Sequence, residues 1–316
     1  MSRILVTGVG GAAGIATVTY LKKEGHYVFG VNCLPYSPGF QMADGWAKVP
    51  YACDDAYIPM LLNLCIEHQI TLVIPTVDEE LIICSESKKL FMEHGIQILV
   101  SGKETLERAL DKYKFARFLE ERNLAVAKTW GLEQALDIQE SDFPLIAKPV
   151  TGRGGRGIKV LHNRKELEEL GKSSTNYILQ EYVTGTEYSV DTLSDLSGRA
   201  IVAVPRKRLE VKGGVCWRGE SDDNSAIIEE SKKVVEALGV IGPGCLQLIY
   251  TESGEIKIFE LNPRIGGTVS LSIHSGVNIV SLSVDVANNK EIKESELPMK
   301  KVVIARYFED VFFEVE

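Results

Sequence analysis

The chain has 316 residues, enough for two or three domains with their own cores, and its 45% hydrophobic and 25% charged residues are ordinary globular composition, which excludes a disordered chain. A formal net charge of −9 argues against a general binder of nucleic-acid backbones, yet leaves room for a local basic site that holds a small anion. Six cysteines (Cys33, Cys53, Cys65, Cys84, Cys216 and Cys245) are scattered without a C-x-x-C pair, which fits free thiols in a reducing cytoplasm, with neither zinc nor disulfides.

Arg3 to Thr7 reads as a short strand, Gly8 to Gly14 as a glycine loop, Ile15 to Glu24 as a helix and Tyr27 to Asn32 as a second strand, a βαβ opening. The same glycines favour this strand-loop-helix reading of Ile4 to Leu21 over a signal peptide or membrane span. The loop TGVGGAAG resembles a dinucleotide fingerprint. The strand after it, however, ends on Asn32 and Cys33, where an acidic residue would hold the ribose, so a structural βα turn is favoured over bound NAD. Ile58 to His68 is the next helix and Thr71 to Pro75 a buried strand. Asp78, Glu79 and Glu80 follow at its C-terminal end, where open α/β sheets bind ligands; they either face an amine substrate or simply start a helix. Ile96 to Val100 closes this unit. Ser101 to Glu104 has the form of a capping box, and Leu106, Leu110, Tyr113 and Ala116 carry one helix on to about Asn123.

Phe143 to Pro149 is a strand with Lys148 near its end, and the loop Thr151 to Gly157 joins it to an alternating strand, Ile158 to Leu161. A Walker loop or Rossmann turn would open a helix here. The segment therefore reads as a glycine-rich flap in which Arg153 and Arg156 close over phosphates, or as a plain surface hairpin. Asn163 to Glu166 caps a short helix. Tyr177 to Val183 and Glu187 to Leu193 are strands joined by a turn at Thr184-Gly185, whose backbone amides can read a planar base while Glu187 holds vicinal hydroxyls. Arg206, Lys207, Arg208 and Lys212 lie in a loop-like stretch with Gly213 and Gly214, and a helix from Ile227 ends at Gly239.

Cys245 to Arg264 is a β-hairpin with its tip at Ser253-Gly254. A turn centred between those residues puts Gln247 directly opposite Glu260, with Asn262 two further on along the same face and Pro263 turning Arg264 towards them. A carboxylate and two amides suit a hard cation such as Mg²⁺ that shares its coordination with phosphates, and an adjacent arginine is a fork for the same phosphates.

Taken together, Lys112, Lys148 with its glycine flap, Gln180-Glu181-Tyr182-Val183, Glu187, Gln247 and Glu260-Leu-Asn262-Pro-Arg264 resemble, in order and spacing, the ATP-grasp superfamily over about residues 1 to 300. The E-x-N-P-R form is similar to the halves of the carbamoyl phosphate synthase large subunit and to biotin carboxylase. The resemblance implies an α/β fold with a Rossmann-like pre-ATP-grasp domain (1–103) and a two-lobed α+β ATP-grasp domain (104–316), whose lid lobe is about 113–185 and whose C-terminal metal-binding lobe is about 186–316. It also implies roles. Lys112, Lys148, Gly154 and Gly155 would contact ATP phosphates, Glu181, Tyr182 and Val183 the adenine, and Glu187 the ribose. Gln247, Glu260 and Asn262 would hold two Mg²⁺, or Mn²⁺, and Arg264, Lys148 and Asn262 would serve the transfer itself. The expected protein is a cytoplasmic ATP-dependent carboxylate-amine ligase, with a homodimer open as its assembly, working on small-molecule carboxylates and amines through an acyl phosphate, with no nucleic-acid or membrane partner. A second reading makes the acid bicarbonate, as in the synthases. A third is a regulatory module that senses NAD(P) without chemistry, which would have no need of a metal clamp.

Overall fold

The computed structural model describes residues 1–152, 155–173, 176–297 and 299–314. Its first unit runs β1 (Arg3–Val6), α1 (Ala12–Lys23), β2 (Tyr27–Asn32), β3 (Gly45–Lys48), α2 (Tyr57–Glu67), β4 (Leu72–Ile74), α3 (Leu81–Glu86), α4 (Lys88–Glu93) and β5 (Gln97–Ile98). The strands are parallel in the order β3-β2-β1-β4-β5. Central strands β1 and β4 are apolar without alternation because helices cover both faces. Strand order reverses between them, and their C-terminal ends open the crevice where such sheets carry ligands.

α5 (Lys103–Leu110) and α6 (Lys112–Glu120) follow as two helices, where the sequence predicts one. Asp111 breaks the run at φ −95° and ψ 108°, because its carboxylate accepts from the backbone of Tyr113 and Lys114 and so caps α6. The predicted capping box at Ser101 is also absent. Gly102 precedes α5 without a side-chain cap, and the Ser101 hydroxyl instead accepts from the Ile241 amide at 2.9 Å.

A four-stranded antiparallel sheet is built from β6 (Thr129–Gly131), β7 (Leu145–Pro149), β8 (Lys159–Leu161) and β9 (Tyr177–Glu181), in the order β6-β9-β7-β8, with α7 (Arg164–Ser173) between β8 and β9. Arg153 and Gly154 of the predicted flap lie outside the described residues. Then come β10 (Thr186–Ser194), β11 (Ala200–Lys212), β12 (Val215–Ser221), α8 (Ser225–Leu238), β13 (Gly242–Tyr250), β14 (Ile256–Asn262), α9 (Val269–His274), α10 (Ile279–Ala287) and β15 (Val303–Ala305). Their strands form a six-stranded sheet in the order β14-β13-β10-β11-β12-β15. The basic stretch predicted as loop-like is the long strand β11, which turns into β12 through Gly213 and Gly214 at φ +57° and +77°, the paired left-handed conformations of a tight hairpin.

One core crosses the units: Ile4, Val6 and Val18 pack in the same cluster as Val202, Val269, Ile279 and Val280. A second joins Phe115 and Leu119 of α6 to Val234 of α8 and Leu246 of β13. Among the described residues no helix is long and apolar enough to cross a membrane.

Candidate active site

The β13–β14 hairpin puts Gln247 opposite Glu260 as predicted, although by a different route. The turn has Gly254 at φ +84° and closes Thr251 on Glu255, so the outer rungs pair Leu248 with Ile258 and Tyr250 with Ile256, one residue off the predicted register. Phe259 is the extra residue of a bulge that restores the register at Glu260. Such bulges re-aim side chains beside active sites. Phe259 lines a cavity of about 400 Å³, with the Lys148 ammonium 4.5 Å from its ring centre.

That cavity collects residues from both later sheets. Lys112, Lys148, Gly155, Glu181, Val183, Glu187, Gln247 and Glu260 all line it. Lys112 enters because the Asp111 break makes it the first residue of α6. Its amide donates to the Val150 carbonyl, and its ammonium donates to the Gly152 carbonyl at 2.9 Å and lies 3.4 Å from Glu260. Lys148 on β7 is buried. Burial draws its ammonium down to about 8, Glu260 pulling the other way and Lys112 pushing further down. Five basic side chains (Lys112, Lys148, Arg156, Arg208 and Lys257) and three carboxylates (Glu181, Glu187 and Glu260) line the cavity, an excess of positive charge that suits an anion.

The segment from Glu181 to Glu187 is a hinge between β9 and β10. The Glu181 carboxylate accepts from the Lys128 amide at 2.8 Å and lies 3.5 Å from Lys257, a pocket residue that the sequence reading passed over. Tyr182 is exposed, on the shallower depression beside the cavity that Glu181 and Val183 also line. Glu187 pairs at 3.1 Å with Arg208, which also donates to the Gln247 amide oxygen at 3.2 Å. The alternation of β11 put Arg208 within reach of the site, but only the strand assignment would have revealed it.

Asn262 and Arg264 are not among the residues lining the cavity. Asn262 is buried, and its amide oxygen accepts from Arg264 at 3.0 Å. The Arg264 fork faces the first unit, donating twice to the Asp78 carboxylate, each at 3.0 Å. Asp78 is therefore a partner of the site arginine. Glu80 is buried beneath it, accepting from the amides of Thr76 and Val77 and from the Tyr57 and Thr7 hydroxyls, and burial raises its pKa despite those donors.

The oxygen set fits a hard cation in its chemistry: one carboxylate and two amide oxygens, each now facing a positive group, Lys112, Arg208 or Arg264. With one carboxylate it is a partial cage. Among the described residues no cluster of three or more His, Cys, Asp or Glu is placed to hold a metal, so a cation here would need phosphate oxygens to complete its shell.

Three sequence families match successive parts of the chain: "PylC-like, N-terminal domain" at residues 4–99, "Carbamoyl-phosphate synthase L chain, ATP binding domain" at 111–202, and "ATP-grasp in the biosynthetic pathway with Ter operon" at 173–311. The carbamoyl phosphate synthase large chain of Clostridium acetobutylicum is 29% identical over 224 residues, covering 64% of this chain and 21% of that protein. The chain thus spans about a fifth of the length of such curated relatives. In fold it is similar to biotin carboxylase from Campylobacter jejuni, solved with an ATP analogue (TM-score 0.80, 18% identity, 96% of this chain and 75% of that one). It is also similar to an L-amino acid ligase from Bacillus licheniformis (TM-score 0.74, 18% identity, 96% and 79%).

Proposed function

Starting from a chain that belongs to the ATP-grasp superfamily and is similar to the carbamoyl phosphate synthase large chain, we propose that it is an ATP-dependent carboxylate-amine ligase. In this reading residues 1–103 are the preceding domain and 104–316 the grasp, with ATP bound between lobes of about 113–185 and 186–316. The observation that carries the proposal is the convergence of Lys112, Lys148, Glu187, Gln247 and Glu260 on one 400 Å³ cavity.

The Glu181–Glu187 hinge receives the nucleoside, and the two lysines receive the phosphates. A substrate carboxylate oxygen attacks the γ-phosphorus, the bond to the bridging oxygen breaks and ADP leaves. An amine then attacks the acyl carbon and expels phosphate, forming the amide. No protein nucleophile is needed, since phosphoryl transfer asks mainly for positioning and charge neutralisation. Gln247, Glu260 and Asn262 would hold Mg²⁺, or Mn²⁺, which when bound neutralises phosphate charge as the transfer proceeds. Arg264, held by Asp78 and hydrogen-bonded to Asn262, would serve the transferred phosphoryl group.

The test is ADP release from MgATP against pools of carboxylates and amines. Some pool should stimulate release, and Glu260→Ala should lower it about 10²- to 10⁴-fold with an unchanged circular dichroism spectrum. Near-normal release by the variant would overturn the metal assignment. A bicarbonate acceptor is the second reading, favoured by the likeness to the synthase large chain. It predicts release stimulated by bicarbonate alone.

A further inference from the structure

Strand β11 places Arg206 and Arg208 two residues apart, hence on one face of the sheet, but they meet different surroundings. Arg206 is buried and committed, 2.6 Å from an equally buried Asp191. Arg208 lies where β11 runs out into the β11–β12 hairpin, just before exposed Leu209 and Val211, yet its own side chain is only 6% exposed because it folds back into the cavity. There its guanidinium reaches Glu187 on β10 at 3.1 Å, the Gln247 amide oxygen on β13 at 3.2 Å, and the Gly214 carbonyl at the hairpin tip at 2.9 Å. Its Nε is buried and has no hydrogen-bond partner among the described residues.

Two of these contacts conflict with a loaded site. Glu187 is the carboxylate proposed for the ribose hydroxyls, and Gln247 offers its single amide oxygen, the only atom by which it could ligate a cation. A guanidinium hydrogen-bonded to that oxygen cannot stay beside a divalent ion bound to it, because like charges so close in a desolvated pocket repel strongly. The anion that arrives with the ion supplies the alternative: a phosphate oxygen pair matches the fork of an arginine. We propose that Arg208 is a transferable clamp, which spans Glu187 and Gln247 and moves onto the polyphosphate when MgATP enters, freeing both side chains for ribose and metal. This rests on the ATP-binding reading above and adds to it a residue that discriminates triphosphate from bare nucleoside. Because the same guanidinium holds the Gly214 carbonyl, the move also releases the β11–β12 tip.

The test is the ratio of affinities for a non-hydrolysable MgATP analogue and for adenosine, measured by titration calorimetry on the full chain, for the parent, Arg208→Gln and Arg208→Lys. Arg208→Gln should weaken the analogue ten- to hundredfold and leave adenosine as tight or tighter, since Glu187 is no longer engaged. Arg208→Lys keeps the charge but cannot span the three partners, and its ratio should fall three- to tenfold. If the Gln variant does not fold, the Lys variant alone decides. A ratio within twofold of the parent in a folded variant would make Arg208 a structural pin of the hairpin and overturn the proposal while ATP binding stood. A parent that bound neither ligand would overturn the ATP reading and this proposal together.

Discussion

Lys148 carries its charge against the preference of its surroundings, and the sign of that penalty is testable. Burial draws its ammonium from the ordinary lysine value of 10.5 down to about 8, because it disfavours the charged form. Between those values the unfolded chain keeps a proton that the folded chain has released, so this group makes stability rise with pH across that window. Lys148→Met should therefore be more stable than the parent at pH 7 by about 1 to 3 kcal/mol in urea unfolding, and the gap should close between about pH 8 and 10.5. Comparison with the variant is essential. Buried Cys245, raised to about 11, and Cys65, raised to about 12, keep protons that the unfolded chain loses, and so lower stability as pH climbs past the ordinary thiol range. A variant less stable than the parent at pH 7 would show that Glu260 already compensates the buried charge. Phosphate favours the ammonium, so the parent's MgATP affinity should fall with pH above about 8, with proton uptake on binding.

At the scale of elements, the hinge from β9 to β10 depends on one backbone position. Gly185 has φ +153°, and a Cβ there would lie 2.4 Å from the Tyr250 carbonyl oxygen and 2.9 Å from the Ile249 side chain. Gly185→Ala should cost roughly 1 to 3 kcal/mol in thermal or urea unfolding. It should also raise KM for ATP several-fold, since the hinge that carries Glu181 and Glu187 must shift; an unchanged KM would detach the hinge from nucleotide binding. The break between α5 and α6 is the other element-scale device. Asp111 looks like an ordinary polar position in a helical pattern, yet its cap is what aims Lys112 into the cavity. Sequence periodicity carries across such a break because α5 and α6 both present Leu106, Phe115 and Leu119 to buried cores.

Over the whole molecule, the Asp78–Arg264 pair links the parallel-sheet unit to the strand that bears Glu260 and Asn262. Both side chains are 14% exposed, so removing one partner strands a poorly hydrated charge. Asp78→Ala should lose about 3 kcal/mol in urea unfolding, and the double variant Asp78→Ala/Arg264→Met should lose less than the sum of the two single changes. Strict additivity would mean that the pair is solvated and does not join the units. The cluster shared by β1, α1, α9 and α10 predicts in addition that these parts unfold in one transition.

The sequence by itself determined the βαβ opening of the parallel unit, the hairpin that pairs Gln247 with Glu260, and most of the polar residues that meet in the cavity, though not Arg208 or Lys257. These are legible because they rest on local signals: alternation, glycine turns, and fixed spacing along a strand. Only the tertiary structure decided what each charge faces. The Phe259 bulge compensates for a hairpin turn that would otherwise shift the register, Asp78 turns from a candidate substrate contact into the anchor of Arg264, and Arg208 comes from a strand that reads as a basic loop to bridge Glu187 and Gln247. The reason is physical. A side chain's partner across 20 to 190 residues is set by which sheets stack and which strands neighbour each other, and those choices are made by the summed burial of many apolar residues, with no local pattern around the charged residue to record them.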